Sequence, residues 1–164
     1  MNTGQSLITI AAMMLLSVLV LRINSTILNT DRVVQDSKFG LLATSMATSM
    51  IEEATNKAFD ENTVSNNVNS IGQLTAPYKL EPESDEVYPN YNDVDDYNGY
   101  SRIDSSMPSA VFKISCSVAY VSSTSPNVIS NLATWDKKVT VTISSISMQD
   151  TVTMSSIFSY WYFR

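Results

Sequence analysis

The chain has 164 residues, which is the size of one domain or of a domain with an appended element. It contains no histidine and one cysteine, which excludes histidine-based acid–base catalysis, His/Cys zinc sites and an intrachain disulfide. The net charge is −6 and no basic stripe could neutralise phosphates, so nucleic-acid binding is disfavoured. We therefore expect a protein that is not an enzyme and that uses no cofactor.

The N-terminal segment is an apolar run that carries no charged side chain before Arg22. A helix of residues 5–21 would be roughly 25 Å long, near the lower limit for crossing a hydrocarbon core of about 30 Å. No basic residue precedes Arg22 and Val20-Leu21-Arg22-Ile23 offers no small-residue cleavage site, which argues against a removable secretory signal peptide. A buried helix of a soluble domain is the alternative. The run favours a membrane anchor, residues 5–23.

The same helix is predicted to continue, so that it covers residues 5–60. No proline occurs before Pro77, and apolar residues recur about every two turns, as at Ile27, Val34 and Leu41. A helix of this span would be ~84 Å long, too long for roughly a hundred remaining residues to bury. Part of it must therefore contact lipid or neighbouring copies of the chain.

The segment 61–109 is predicted to be an irregular acidic connector. Asn, Ser, Asp and proline dominate it and no hydrophobic period persists, although a short helical turn is expected near 68–74. Its acids Asp93, Asp95 and Asp96 raise a calcium hypothesis, because hard cations prefer several oxygen ligands. The EF-hand spacing is not met, and we favour a structural turn in which these carboxylates accept local backbone N–H groups.

The segment 110–164 has the alternating pattern of β-strands. Strands are predicted at 112–120, 138–144 and 152–163, and short connections favour an antiparallel meander of three to four strands. Cys116 lies in this pattern and is predicted to be a small buried hydrophobic residue. The apolar face of the sheet requires a cover, and the second half of the long helix is available. We predict an α+β fold.

The segment Gly4-Gln5-Ser6-Leu7-Ile8-Thr9 resembles the prepilin motif of the type IV pilins. In that motif a Gly precedes the cleavage site. The positions after it hold, in order, an aromatic residue or Met; Thr or Ser; Leu; Ile or Val; and Glu. The predicted order of long helix, loop and antiparallel sheet is also similar to the pilin architecture. Three further patches look like the minor pilins of the mannose-sensitive haemagglutinin type: Ile51-Glu52-Glu53-Ala54 with Ala58-Phe59-Asp60, residues 91–100, and residues 137–141.

The resemblance implies a leader of residues 1–4, cleavage after Gly4 and methylation of the new N-terminal Gln5. Thr9 stands where most members carry a Glu that pairs with the N-terminal amine of a neighbouring subunit. The filament core helix implied by the resemblance contains Leu7, Ile8, Thr9, Ile10, Met13, Met14, Leu15, Leu16, Val18, Leu19, Val20 and Leu21.

The function implied is that of a structural subunit of a type IV pilus-like filament. The chain would be single-pass in the cytoplasmic membrane before assembly and extracellular afterwards. Its partners would be copies of itself, other pilins, the prepilin peptidase and the pilus assembly machinery. Two alternatives are a minor pilin or pseudopilin that primes or tips another filament, and an anchored binding module that does not polymerise.

Overall fold

The computed structural model describes residues 2–160, and the chain divides into two compact units, Met1–Lys38 and Phe39–Arg164. The regular elements are helices α1 (Thr3–Thr55) and α2 (Glu61–Val64), and strands β1 (Ser101–Asp104), β2 (Phe112–Ser122), β3 (Ser125–Ile129), β4 (Asp136–Ser145) and β5 (Val152–Ser159). Short 3₁₀ turns lie at Ile71–Gln73, Pro77–Lys79 and Asp95–Tyr97. A long helix followed by an antiparallel sheet confirms the predicted α+β class.

Within residues 2–160 the sheet has five strands. Four of them lie side by side in the order β1-β2-β4-β5, and β3 pairs with the end of β2. All pairs are antiparallel, and β2 and β4 run side by side from Phe112 opposite Ser145 to Val121 opposite Asp136. Two strands were not predicted. β1 shows no alternation because its residues are mostly exposed, and β3 is exposed along most of its length and contains Pro126, which is typical of edge strands.

Strands β2 and β4 alternate between buried and more exposed residues. The buried face of β2 includes Phe112, Ile114 and Cys116, and that of β4 includes Val139 and Val141. Cys116 is only 4% exposed, which confirms the prediction that it is a buried hydrophobic residue. Burial raises the pKa of its thiol to about 12, so the group stays protonated near neutral pH.

The last part of α1 covers this sheet. Its buried face consists of Ala43, Ala47, Met50 and Ala54, which belong to the same core as the inward residues of β2 and β4. Three of the four residues are alanines that are 0% exposed, so this helix face is closely packed. Near this face, the Phe39 and Phe112 rings meet edge to face with centroids 6.3 Å apart.

We expect Ala47→Leu to lower the free energy of unfolding by about 1–3 kcal/mol, because added methylene groups do not fit a closed core. Ser45→Leu is the control, since it adds a Leu side chain to an exposed position of the same helix. Chemical denaturation followed by near-ultraviolet circular dichroism would compare the two variants. Equal stabilities would contradict the close packing of this helix face.

Helix α1 ends at Thr55, whereas the sequence predicted an end at Asp60. After the helix, Ala58 makes a parallel bridge with Asp93, in which its N–H bonds the Asn92 carbonyl and its carbonyl accepts from Val94. Asp60 begins a new turn, since its side chain accepts the Asn62 N–H and caps α2. These bonds replace the helical ones, so the chain leaves the helix before Asp60.

The connector is more ordered than predicted. The expected helical turn near 68–74 is present as the 3₁₀ turn Ile71–Gln73, which confirms that expectation. The final strand ends at Ser159. The predicted strand continued to Phe163. Tyr160 lies outside the observed strand, and residues 161–163 lie outside the described residues.

Candidate functional site

The apolar part of α1, which we call the apolar segment (residues 7–21), is open to solvent over its whole circumference. Its large apolar side chains are each 51–73% exposed. The most apolar 18-residue window of the helix has a mean hydropathy of 2.3, and none of it is buried. By length and composition, this helix could cross a membrane. Every predicted filament core residue from Leu7 to Leu21 lies on this exposed helix.

The hydroxyl groups within and beside the apolar segment bond to the helix itself. The Thr9 hydroxyl donates to the Ser6 carbonyl at 2.8 Å, and the Ser17 hydroxyl donates to the Met13 carbonyl at 2.9 Å. Such bonds satisfy a donor that would otherwise be costly in an apolar environment. Gly4 and Gln5 lie in the first turn of α1. Their cleavage and methylation stay predictions.

A second feature is a buried lysine where the connector meets the sheet. Lys137 on β4 is 0% exposed and has three acceptors around its ammonium group. Its Nζ donates to the Phe59 carbonyl at 2.8 Å, to Asp60 Oδ2 at 2.9 Å and to Asp95 Oδ1 at 2.6 Å. The Phe59 and Tyr120 rings also face the ammonium, with their centroids 4.5 and 4.9 Å away.

The two carboxylates that contact Lys137 have different environments. Asp60 also accepts from the Thr75 backbone and hydroxyl and from the Tyr120 hydroxyl at 3.0 Å. Burial acts to raise the pKa of Asp60, but the Lys137 ammonium and the Thr75 hydrogen bond outweigh it and lower the pKa. For Asp95, burial dominates and raises the pKa to about 7 despite Lys137. The second oxygen of Asp95 has no hydrogen-bond partner.

A third feature, which we call the carboxylate cluster, lies on the connector and α2. It consists of Glu61, Glu83, Glu86, Asp93 and Asp96. Carboxylate oxygens of the first three residues lie within 4.8 Å of one another, and so do those of Glu83, Asp93 and Asp96. Glu83 therefore joins two groups of three acidic side chains.

Two aspartates at the base of the cluster are held by turns of the backbone. Asp93 Oδ1 accepts the N–H groups of Asp95 and Asp96 at 2.5 and 3.3 Å. Asp96 Oδ2 accepts those of Asn92 and Asp93 at 2.9 and 3.1 Å. These bonds are the local carboxylate-to-backbone bonds that the sequence led us to expect. They also fix the direction in which the other oxygen of each carboxylate points.

Two carboxyl groups of the cluster have strongly raised pKa values. Burial, followed by repulsion from Asp95 and Asp96, raises the pKa of Asp93 to about 8. Burial, followed by side-chain hydrogen bonds with Glu83 and Asp96 that favour the protonated form, raises the pKa of Glu86 to about 8. A raised pKa of an acid means that its environment stabilises the charged form less than water does.

The three aspartates of the calcium hypothesis are therefore not brought together as one group. Asp93 and Asp96 belong to the carboxylate cluster, whereas Asp95 turns to Lys137. Sequence reasoning missed Glu61, Glu83 and Glu86 as parts of this cluster. Glu61 is distant along the chain from Glu83 and Glu86 and meets them only through the fold. It also missed Lys137, although a signal was present. Lys137 has the same parity along β4 as the buried Val139, so alternation alone predicts an inward side chain.

The fold and the exposed segment define a class of protein, namely an α+β domain continuous with an apolar N-terminal helix that could cross a membrane. Comparison with known proteins adds no family to this description. No protein-family model matches the chain, and no curated protein or solved structure matches it significantly.

Proposed function

We propose that the chain is a structural subunit of a type IV pilus-like extracellular filament and assembles through a bundle of its N-terminal helices. The observation that carries the proposal is the contrast within α1. Its last part is packed on the sheet through Ala43, Ala47, Met50 and Ala54, whereas the segment 7–21 is apolar and wholly exposed.

Exposed apolar area of this extent requires a cover. Full burial of a Leu or Val side chain contributes about 1.5–3 kcal/mol, and the apolar segment consists largely of such residues. In the proposed life cycle, lipid of the cytoplasmic membrane covers the segment first, and neighbouring copies cover it in the filament. Other pilins, the prepilin peptidase and the assembly machinery would be the remaining partners.

The resemblance of residues 4–9 to a prepilin motif supports this proposal over a simple anchor. The self-satisfied hydroxyls of Thr9 and Ser17 support it as well, because they let helices pack without unpaired donors. The alternative, a minor pilin or pseudopilin, predicts that only a few copies of the chain are present in each filament. A chain that makes up most of the isolated filament mass is not an initiator alone.

Substitution of one exposed leucine tests the proposal. We expect Leu15→Glu to abolish filaments, because a charge in a hydrocarbon environment costs ~2.5 kcal/mol or more at every subunit. Leu132→Glu is the matched control, since Leu132 is 75% exposed and Leu15 is 73% exposed, but Leu132 lies in a loop outside the helix. Negative-stain electron microscopy of sheared cell-surface material would show thin filaments for the wild type and for the control.

Two results would contradict the filament proposal. One is a wild-type chain that stays monomeric or dimeric in detergent and forms no filaments at any expression level, which is the behaviour of an anchored binding module. The other is polymerisation of a chain that lacks residues 1–23. That truncation should yield a soluble monomer if the helix bundle drives assembly.

A further inference from the structure

The carboxylate cluster contains buried oxygens that have no hydrogen-bond partner. Asp93 and Asp96 are both 0% exposed, and each uses only one oxygen to accept backbone N–H groups. No described residue donates a hydrogen bond to Asp93 Oδ2 or Asp96 Oδ1, and the same is true of Glu61 Oε2 and Glu86 Oε2. A buried polar atom without a partner is costly, and a buried charge is more so. Four such oxygens belong to this one cluster, and a bound cation would satisfy them.

Within the part of the chain that the structure describes, no lysine or arginine forms an ion pair with the cluster. Lys137 is the nearest buried base, but its three N–H donors are taken by Phe59, Asp60 and Asp95. The ion pairs within residues 2–160 are Arg102 with Asp104 and Lys137 with Asp60 and Asp95, so they include no member of the cluster.

We propose that the carboxylate cluster is a calcium site in which Glu83, Glu86, Asp93 and Asp96 are the ligands and Glu61 lies at its edge. The four ligands share one region, because Glu83 belongs to both groups of close carboxylate oxygens and Glu86 approaches Glu83 and Asp96. This inference is independent of filament assembly. It concerns only the unit of residues 39–164.

Calcium suits the site better than magnesium. Ca²⁺ accepts six to eight oxygens in flexible geometry and tolerates bidentate carboxylates, whereas Mg²⁺ requires a near-ideal octahedron and keeps several of its waters. The cluster offers many anionic oxygens and little regular geometry. Glu83 is exposed, so an ion would have direct access from solvent and one or more waters could complete its shell.

The site would also join separate parts of the chain. Glu61 is on α2, and Glu83 and Glu86 lie further along the connector. Asp93 forms the bridge with Ala58, and Asp96 lies within the 3₁₀ turn Asp95–Tyr97 that follows. An ion bound here would link these three places. We therefore expect calcium to stabilise the connector and the unit as a whole.

The test uses the full chain in detergent after treatment with a chelator. Addition of calcium chloride should raise the unfolding temperature by roughly 10 °C at about a hundred times Kd. Isothermal titration calorimetry should give one ion per chain. No shift with calcium chloride, or an equal shift with magnesium chloride at the same concentration, would overturn the assignment.

Substitution of Glu83 tests whether calcium binds at the cluster, and Glu81 provides the control. Glu83→Gln should weaken calcium binding at least about tenfold with little risk to folding, because Glu83 is exposed and calcium affinity depends on the number of charged ligands. Glu81→Gln removes the same charge from an exposed position of the same connector and should bind calcium as the wild type does. Equal calcium affinity in these two variants would refute the site.

Asp96→Asn provides a second readout. Its amide oxygen can still accept the Asn92 and Asp93 N–H groups, while its NH₂ can donate to a neighbouring carboxylate. We expect the metal-free variant to be more stable than the metal-free wild type and to lose the calcium response. A variant that keeps the full calcium-dependent rise in unfolding temperature would contradict the proposed ligand set.

Discussion

Replacement of Lys137 by Met should lower the free energy of unfolding by about 3–5 kcal/mol, the range found when one partner of a buried ion pair is removed. Met has a similar length, so the packing between Phe59 and Tyr120 can be largely kept. The loss arises because Asp60 and Asp95 then remain in the interior without their shared cation. Urea denaturation of the full chain in detergent, followed by near-ultraviolet circular dichroism, would measure it.

Lys138→Met is the matched control for this prediction. It removes the same charge from the next residue of β4, which is half-buried and donates to Asn127 Oδ1 at 3.2 Å in a solvent-exposed hydrogen bond. We expect a change within about 0.5 kcal/mol, as for most surface substitutions. If Lys137→Met cost no more than Lys138→Met, the buried ion pairs would not contribute to stability as the geometry indicates.

The two carboxylates around Lys137 should respond very differently to neutralisation. Asp60→Asn should lower the free energy of unfolding by roughly 3 kcal/mol, because an amide NH₂ would face the donors of Thr75, Tyr120 or Lys137. Asp95→Asn should change it by about 1 kcal/mol or less. Asp95 accepts one side-chain hydrogen bond, from Lys137, and its amide oxygen could still accept it.

These two variants control for each other, since each removes one negative charge from the same lysine. The same denaturation experiment would rank them. A larger loss from Asp95→Asn than from Asp60→Asn would show that charge at Lys137, rather than the hydrogen bonds around Asp60, determines the stability of this region.

The elements that sequence reasoning identified correctly are those whose signal is local. Alternation along residues 112–120 and 138–144 is a property of consecutive side chains, so β2 and β4 were predictable. The apolar run at residues 7–21 is local in the same sense. Strands β1 and β3 lack such a signal because they are exposed edge segments that pair only where β2 offers them a partner.

The polar sites depend on the fold and could be predicted only in part. The aspartates near residue 93 were visible as a group, but Asp95 and Asp96 point to different partners because a 3₁₀ turn separates their side chains. Glu61 and Glu83 meet only because the chain leaves α1 early and forms the Ala58–Asp93 bridge. No hydrophobic periodicity in the sequence predicts this bridge. The alternation of β4 predicts that Lys137 points inward, but nothing in the sequence predicts that Asp60 and Asp95 are its partners.

The hydrogen bonds that the side-chain hydroxyls of the first part of α1 make to its backbone lower the effective polarity of this segment. Hydropathy scales treat Thr9 and Ser17 as polar residues, yet both donate their hydroxyl protons to carbonyls of their own helix. What these residues present to a neighbour is then mainly methyl and methylene surface. The mean hydropathy of 2.3 therefore understates how apolar the surface of this segment is to its surroundings. Small side chains of this kind also leave shallow notches, into which a neighbouring helix can fit its larger leucines and methionines.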